Sequence, residues 1–297
     1  MGRLGAVFLL SLPAIVGART DFDRMEQLAE AKHGHTAADT IKSWRAMIEK
    51  TRTESDLAKL ERVNDFVNYR VSYANDNDVW GAEDYWATPL ETFGKGRGDC
   101  EDYAIAKYVS LLLMDVPVQK LRLVYVRARV GGGSYPVTHI GAQTVAHMVL
   151  SYFETPASDP LILDNLIDAI KPAQNRADLF PIFSFNHEGL WMGGERSSTG
   201  DPTARLSRWR DVLQRMRQEG IDPSLTQISA RSLTSWKKPK SRLSSRNTAN
   251  LRSSSKVMMA KHQATIKKIA PEHTMSTKLK AKTAKCQPPL RKKVTRR

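Results

Sequence analysis

Cysteine is nearly missing from this sequence: two occur among 297 residues, Cys100 and Cys286. A disulfide-stapled scaffold is thereby excluded. A bridge between these two would tie a folded centre to a low-complexity end, so both thiols are expected to be free. Apolar stretches long enough to cross a bilayer, which takes about 20 residues in a helix, are lacking as well. The run from Leu4 to Val16 is too short and is broken by Gly5, Ser11 and Pro13. It follows Met1-Gly2-Arg3 and runs into the small residues Val16-Gly17-Ala18, so residues 1–18 read as a cleaved secretory signal. A buried N-terminal helix is the alternative. No internal repeat is present, which excludes a stacked-repeat architecture.

Acidic residues run out at one end of the chain. The sequence holds 46 Lys+Arg and 31 Asp+Glu, a net charge of +15. Residues 231–297 contain 20 of the basic residues and one acid, Glu272, which leaves 26 basic and 30 acidic residues in 1–230. The basic character therefore belongs to the tail and says nothing about the folded part. Aromatics disappear after Trp236, and Ser, Lys and Arg dominate, a composition that cannot bury enough apolar surface to fold. The expected organisation is one folded domain over 19–230 and a disordered basic tail over 231–297.

What is present has two halves. Ile41, Trp44, Met47 and Ile48 recur at helical spacing, as do Leu57, Leu60, Val63 and Val67, and these two helices should pack as a pair. Residues 72–98 are rich in Gly, Pro, Asn and Asp and read as an irregular loop ending in Gly94, Gly96 and Gly98. Asp99 then begins a helix to about Met114, apolar nearly all round through Ala104, Ile105, Tyr108, Leu111 and Leu112, so it should lie in the middle of the domain. After Pro117 the pattern becomes extended: Leu121–Val130, Ala146–Phe153 and Leu161–Leu166 read as strands, with a break at Gly131–Gly133. The aromatic stretch Phe180–Trp191 lacks a period and reads as a packed loop, and Arg205–Gln218 as a closing amphipathic helix. Helices before strands predict an α+β fold, with the central helix packed on an antiparallel sheet.

The chemistry centres on Gly98-Asp99-Cys100-Glu101-Asp102, which puts a cysteine at the start of that buried helix. Free N–H groups and partial positive charge there favour a thiolate, lowering its pKa from about 8.5 into a range of about 3.5–7.5, and the same N–H groups can hold an oxyanion. A small buried cysteine is the plain alternative. A thiolate needs a base. His147 opens His147-Met148-Val149-Leu150 and Asp164 closes Leu161-Ile162-Leu163-Asp164. In a hairpin around Thr155-Pro156-Ala157 whose paired positions sum to 311, His147 stands opposite Asp164 on the same face, and the carboxylate can orient the imidazole toward Cys100. That is the logic of nucleophile, base and orienting acid. A core histidine and a strand-ending Asp164-Asn165 turn are the alternatives.

Other motifs carry less. Gly94, Gly96 and Gly98 lack the spacing and preceding strand of a nucleotide-binding loop. Asp76-Asn77-Asp78 starts like a calcium loop, but Trp80 and Ala87 stand at ligand positions, so it is rejected. His33-Gly34-His35 reads as a solvated turn, and Trp86 as an aromatic of a packed loop rather than an active-site wall.

Taken together, Val63-Asn64-Asp65-Phe66-Val67-Asn68, Asp84-Tyr85-Trp86-Ala87-Thr88-Pro89, Gly98 to Tyr108, His147-Met148-Val149-Leu150, Leu163-Asp164-Asn165-Leu166 and Ser184-Phe185-Asn186 carry a resemblance over about 40–220. The chain resembles the bacterial transglutaminase-like cysteine proteases, and within them the LapG-type periplasmic proteases that release large adhesins. The resemblance implies a papain-like fold, a catalytic triad of Cys100, His147 and Asp164, and a calcium site beside the cysteine. Asp99, Glu101 and Asp102 are its candidate ligands. It further implies a periplasmic location, cleavage at an alanine-rich site in an adhesin's N-terminal region, a role in biofilm release, and sequestration by a cyclic di-GMP-responsive inner-membrane receptor. The family does not require the tail after 231. Two other functions fit the residues: an acyl transferase of the same fold, passing a thioester on Cys100 to an amine, and a non-enzymatic basic protein whose tail binds nucleic acid or anionic surfaces.

Overall fold

The computed structural model describes residues 20–130, 143–193, 195 and 197–222. The signal expected at 1–18, the glycine break at 131–133 and the tail from 231 lie outside the described residues. Three helices open the fold: α1 (Phe22–His33), α2 (His35–Thr51) and α3 (Asp56–Arg70). Gly34 parts the first two with φ of 88°, a left-handed geometry that only glycine adopts cheaply, so the expected turn is there, but only His35 is solvated and His33 is half-buried against Gly94. The sequence reading did not include α1, because it buries only Met25 and Ala29. Ser55 caps α3 by accepting from Ala58 N, and α2 and α3 pack together with the periodic apolar residues in the core, except Leu57, which is exposed.

The irregular loop expected over 72–98 needs correction. It contains α4 (Asp76–Trp80) and α5 (Pro89–Lys95), and β1 (Ser72–Tyr73) pairs in parallel with β2 (Arg97–Gly98). Thr88 and Glu91 form a reciprocal capping box and Pro89 occupies the first turn of α5. Two glycines of the stretch expected to be an irregular loop instead end these helices, Gly81 at φ 65° and Gly96 at φ 60°.

All fourteen residues of α6 (Cys100–Leu113) are buried. Its nearly uniform apolarity is matched by neighbours on every side: α3 and α5 on one part of its surface and the sheet on another. Its buried hydroxyl, Ser110, accepts from Trp44 Nε1 at 2.8 Å and donates to the Ala106 carbonyl at 2.7 Å, so no polar atom of the pair is stranded. Asp115, at φ 63°, turns the chain out of α6 and is held by Arg52.

The sheet consists of β3 (Leu121–Val130), β4 (Gln143–Tyr152), β5 (Leu161–Leu163), β6 (Lys171–Pro172), β7 (Leu179–Phe185) and β8 (Leu190–Met192). Its order is β6-β5-β4-β3-β7-β8, with every pairing antiparallel. Alternation sends Leu123, Met148, Leu150, Leu163 and Phe185 into the core around α6, while Val124, Val126, Val149 and Ile162 form a second apolar cluster. The packed loop expected over 180–191 proves to be mostly strand, and the strand expected over 161–166 stops at Leu163. The closing helix divides at Leu206 into α7 (Pro202–Arg205) and α8 (Ser207–Gln218), which buries Trp209, Val212, Leu213 and Met216. The α+β architecture is as expected. No helix among the described residues is long and apolar enough to cross a membrane.

Candidate active site

Cys100 begins α6 at 4% exposure and is in no disulfide. The turn before it is shaped by its own acids. Asp99 and Asp102 form a reciprocal capping box, and Asp102 also accepts from Ala87 N at 2.8 Å, which binds the α4–α5 segment to the helix start. Gly98 must be glycine, since a Cβ would lie 2.5 Å from an Asp102 carboxylate oxygen. Burial, with the charges of Glu101 and Asp76, pushes the Asp102 carboxyl well above the usual carboxylate range. The Cys100 thiol donates to Glu101 Oε2 at 3.1 Å.

His147 and Asp164 meet, though not through the expected register. Pairing runs Leu150↔Leu163, Ser151↔Ile162 and Tyr152↔Leu161, a sum of 313 rather than 311, and the ladder ends before Asp164. A slip of two residues keeps every side chain on its face, so the pair survives as diagonal neighbours. Asp164 Oδ1 lies 2.7 Å from His147 Nε2, both side chains fully buried. The carboxylate also accepts from Leu166 N at 3.0 Å and from Arg176 Nη2 at 2.6 Å. Burial alone would raise the Asp164 carboxyl, but the charge and hydrogen bond of His147 and the Arg176 guanidinium override it and hold it far below the ordinary value. The sequence reading missed Arg176, because nothing near it in the chain marks it as a partner of Asp164.

The two halves of the site are joined through α6, which packs on β4. Two turns beyond Cys100, the buried Lys107 donates from Nζ to the Asp164 carbonyl and to Asn64 Oδ1, each at 2.9 Å. Asn64 and Asn68 on α3 reach the same loop through the carbonyls of Asp168 and Asp164. Burial pushes the Lys107 amine down to about 7, against the pull of Asp164 and Asp168. An unfolded lysine titrates near 10.4, so the unfolded chain binds the extra proton between the two values and stability must rise with pH across that window. Urea unfolding at pH 7 and pH 9 should show the protein gaining about 2 kcal/mol over its Lys107→Met variant. Parallel pH curves for the two would remove Lys107 from this account.

The acids gather more residues than the sequence suggested. Oxygens of Asp76, Asp84 and Glu101 lie within 4.8 Å of one another, as do those of Asp76, Asp99 and Asp102, and ligand atoms of Asp99, Cys100 and Glu101 form a third such group. The sequence reading rejects Asp76 with its calcium loop and gives Asp84 no ligand role. The loop rejection stands, since α4 occupies that stretch, but Asp76 belongs to this cluster at 1% exposure. Asp102 serves the turn with both its oxygens, so Asp76, Asp99 and Glu101 are the better-placed candidates, with Asp84, half-buried and engaged by Trp86 Nε1 and Arg208, at their edge. Carboxylate oxygens crowded this closely, all but that of Asp84 buried, suit a hard cation such as calcium. Trp86 stacks on Phe185, with centroids 5.7 Å apart, in the packing role expected of it.

Residues 34–192 match the family model of the bacterial transglutaminase-like cysteine proteinases. Among solved structures, the EGTA-treated form of Legionella pneumophila LapG is 36% identical, with a TM-score of 0.55 over 66% of this chain and 97% of that one. The calcium-bound form of the same protein is 35% identical, with a TM-score of 0.54 over 66% of this chain and 98% of that one. A search among curated proteins finds no match.

Proposed function

The chain belongs to the bacterial transglutaminase-like cysteine proteinases and is a cysteine protease, and on that premise we propose a calcium-dependent periplasmic endopeptidase that cleaves the N-terminal region of a large surface adhesin. The substrate class, a role in biofilm release and control by a cyclic di-GMP-responsive inner-membrane receptor are what the resemblance to the LapG-type proteases implies, and the 36% identity supports that resemblance. The observation that carries the mechanism is the buried His147–Asp164 pair on the sheet against which the Cys100 helix packs.

Asp164 occupies Nε2, so Nδ1 is the nitrogen that exchanges a proton with the thiol. The Cys100 thiolate attacks the scissile carbonyl carbon, forming an S–C bond, and backbone N–H groups at the start of α6 receive the oxyanion. Collapse breaks the C–N bond as the imidazolium gives its proton to the leaving amine. Water, deprotonated by the imidazole, then attacks the thioester, releases the new carboxylate and returns the sulfur. Asp164 holds the ring and its tautomer, and Arg176 holds Asp164. Bound calcium would supply countercharge to Asp76, Asp84, Asp99 and Glu101 and fix the turn that carries the nucleophile.

Cleavage of a recombinant adhesin N-terminal fragment tests this reading. His147→Ala should reduce it to background, and Asp164→Asn should lower kcat by about 10²–10⁴-fold, because the ring keeps part of its orientation. Asp164→Asn with an unchanged kcat would rule the triad out. Incorporation of an added amine in place of cleavage would assign the chain to acyl transfer. For residues 231–297 we propose adhesion to anionic surfaces through their positive charge. A chain ending at 230 should cleave at the full rate but lose salt-sensitive binding to anionic vesicles, and loss of turnover on truncation would refute the division.

A further inference from the structure

A cavity of about 510 Å³ lies against the sheet, within the range of about 300–1,000 Å³ that small-molecule sites occupy. Val124, Val126, Val149 and Ile162 form its wall, the strand positions that alternate with those packed on α6. Two arginines line it. Arg176 is 3% exposed; its Nε and Nη2 are engaged by Asp178 and Asp164, but its buried Nη1 has no hydrogen-bond partner among the described residues. A buried guanidinium nitrogen without an acceptor is costly, and such a group in a native protein calls for an explanation, a bound acceptor among them. Arg122 lies 4.0 Å from the Trp191 ring centroid and 5.0 Å from that of Phe153, and no carboxylate among the described residues pairs with it.

The charges sort by role. Asp164 and Asp178 more than neutralise Arg176, so its Nη1 offers a directed donor and no net charge, and Arg122, ion-paired with neither, supplies the positive charge of the lining. Glu195, the one acid on the lining among the described residues, is exposed. Apolar walls, a buried donor without an acceptor and a cation without a counterion describe one class of ligand. We propose that this cavity binds an organic carboxylate with an apolar body, and that its occupancy is felt at Asp164 through Arg176. The second half rests on the proposed triad; the first does not.

Octanoate serves as the probe, with acetate carrying the charge alone and 1-octanol the apolar body alone. Calorimetry should show one saturable site for octanoate, with acetate and octanol each weaker by at least about tenfold, since charge-assisted hydrogen bonds are worth that or more. Arg122→Gln, outside the catalytic machinery, should weaken octanoate by a similar factor and leave cleavage without octanoate unchanged. Ala157→Trp at the lining should block binding, and gives a second variant if Arg122→Gln fails to fold. Octanoate should change the kcat of the native protein and not that of Arg122→Gln. Equal binding of octanol and octanoate, undiminished binding to Arg122→Gln, or no saturation at millimolar octanoate would overturn the site. Binding with unaltered kcat would overturn its link to Asp164. Failure of the native protein to cleave with no octanoate present would count against the protease assignment instead.

Discussion

Purified Cys100→Ala protein should cleave nothing above background while keeping its circular dichroism and thermal midpoint close to those of the native chain. The loss should exceed about 10³-fold, because the nucleophile has no substitute and residues of a catalytic unit fail together. Structure should survive, since alanine is smaller than cysteine and a strong helix former, and the turn at α6 is held by the Asp99–Asp102 box and the Asp102–Ala87 bond, neither of which uses the thiol. A thiol reagent supplies the complementary reading. Inactivation should follow labelling of Cys100 and be indifferent to Cys286, as a Cys286→Ser variant would show by peptide mass analysis. Native turnover by Cys100→Ala protein would end the proposed mechanism.

Calcium removal should produce the second large effect: cleavage stopped by chelation and restored by added calcium. Glu101 explains the size of the effect expected. Its carboxylate accepts from the Cys100 thiol at 3.1 Å and also lies among the oxygens of Asp76 and Asp84, so it stands between nucleophile and candidate cation site. Without countercharge these buried acids repel one another beside the thiol, which opposes the thiolate that the helix terminus favours. Glu101→Ala and Asp76→Ala should each weaken calcium binding by at least about tenfold in titration calorimetry, with cleavage falling at fixed low calcium. Asp76 separates the two accounts of the cluster, because it precedes α6 by more than twenty residues and is no part of that helix's own capping box. An enzyme verified calcium-free that cleaves at the untreated rate would reduce the acids to a structural role.

Much of this site is written in local sequence. The uniform apolarity of 100–113 signals a central helix, Asp99 and Asp102 at its start give a capping box, and a thiol between them sits at the positive end of a dipole. The pairing of His147 with Asp164 was reachable through strand alternation even with a register two residues off, because parity and not register decides the face. What was not legible depends on contacts distant in the chain. Arg176 reaches Asp164 across twelve residues of turn and short strand, and Lys107 reaches the carbonyl of Asp164 from another layer. Asp76 and Asp84 looked like members of a failed calcium loop and loop punctuation, since their partners Glu101 and Asp99 come close only after α4, β1 and β2 have folded against α6. The stretch 72–98 was misread because helices of five and seven residues carry too few positions for a period to emerge.

The complete burial of α6 bears on how the enzyme fails. Amide protons along a helix enclosed on all sides exchange with solvent when the whole domain opens, not by fraying of a turn. The nucleophile at one end of that helix and the lysine that anchors the Asp164 loop are therefore lost together or not at all. Heat or denaturant should divide a population into fully competent and wholly unfolded molecules, with no slack intermediate that cleaves slowly or at the wrong peptide.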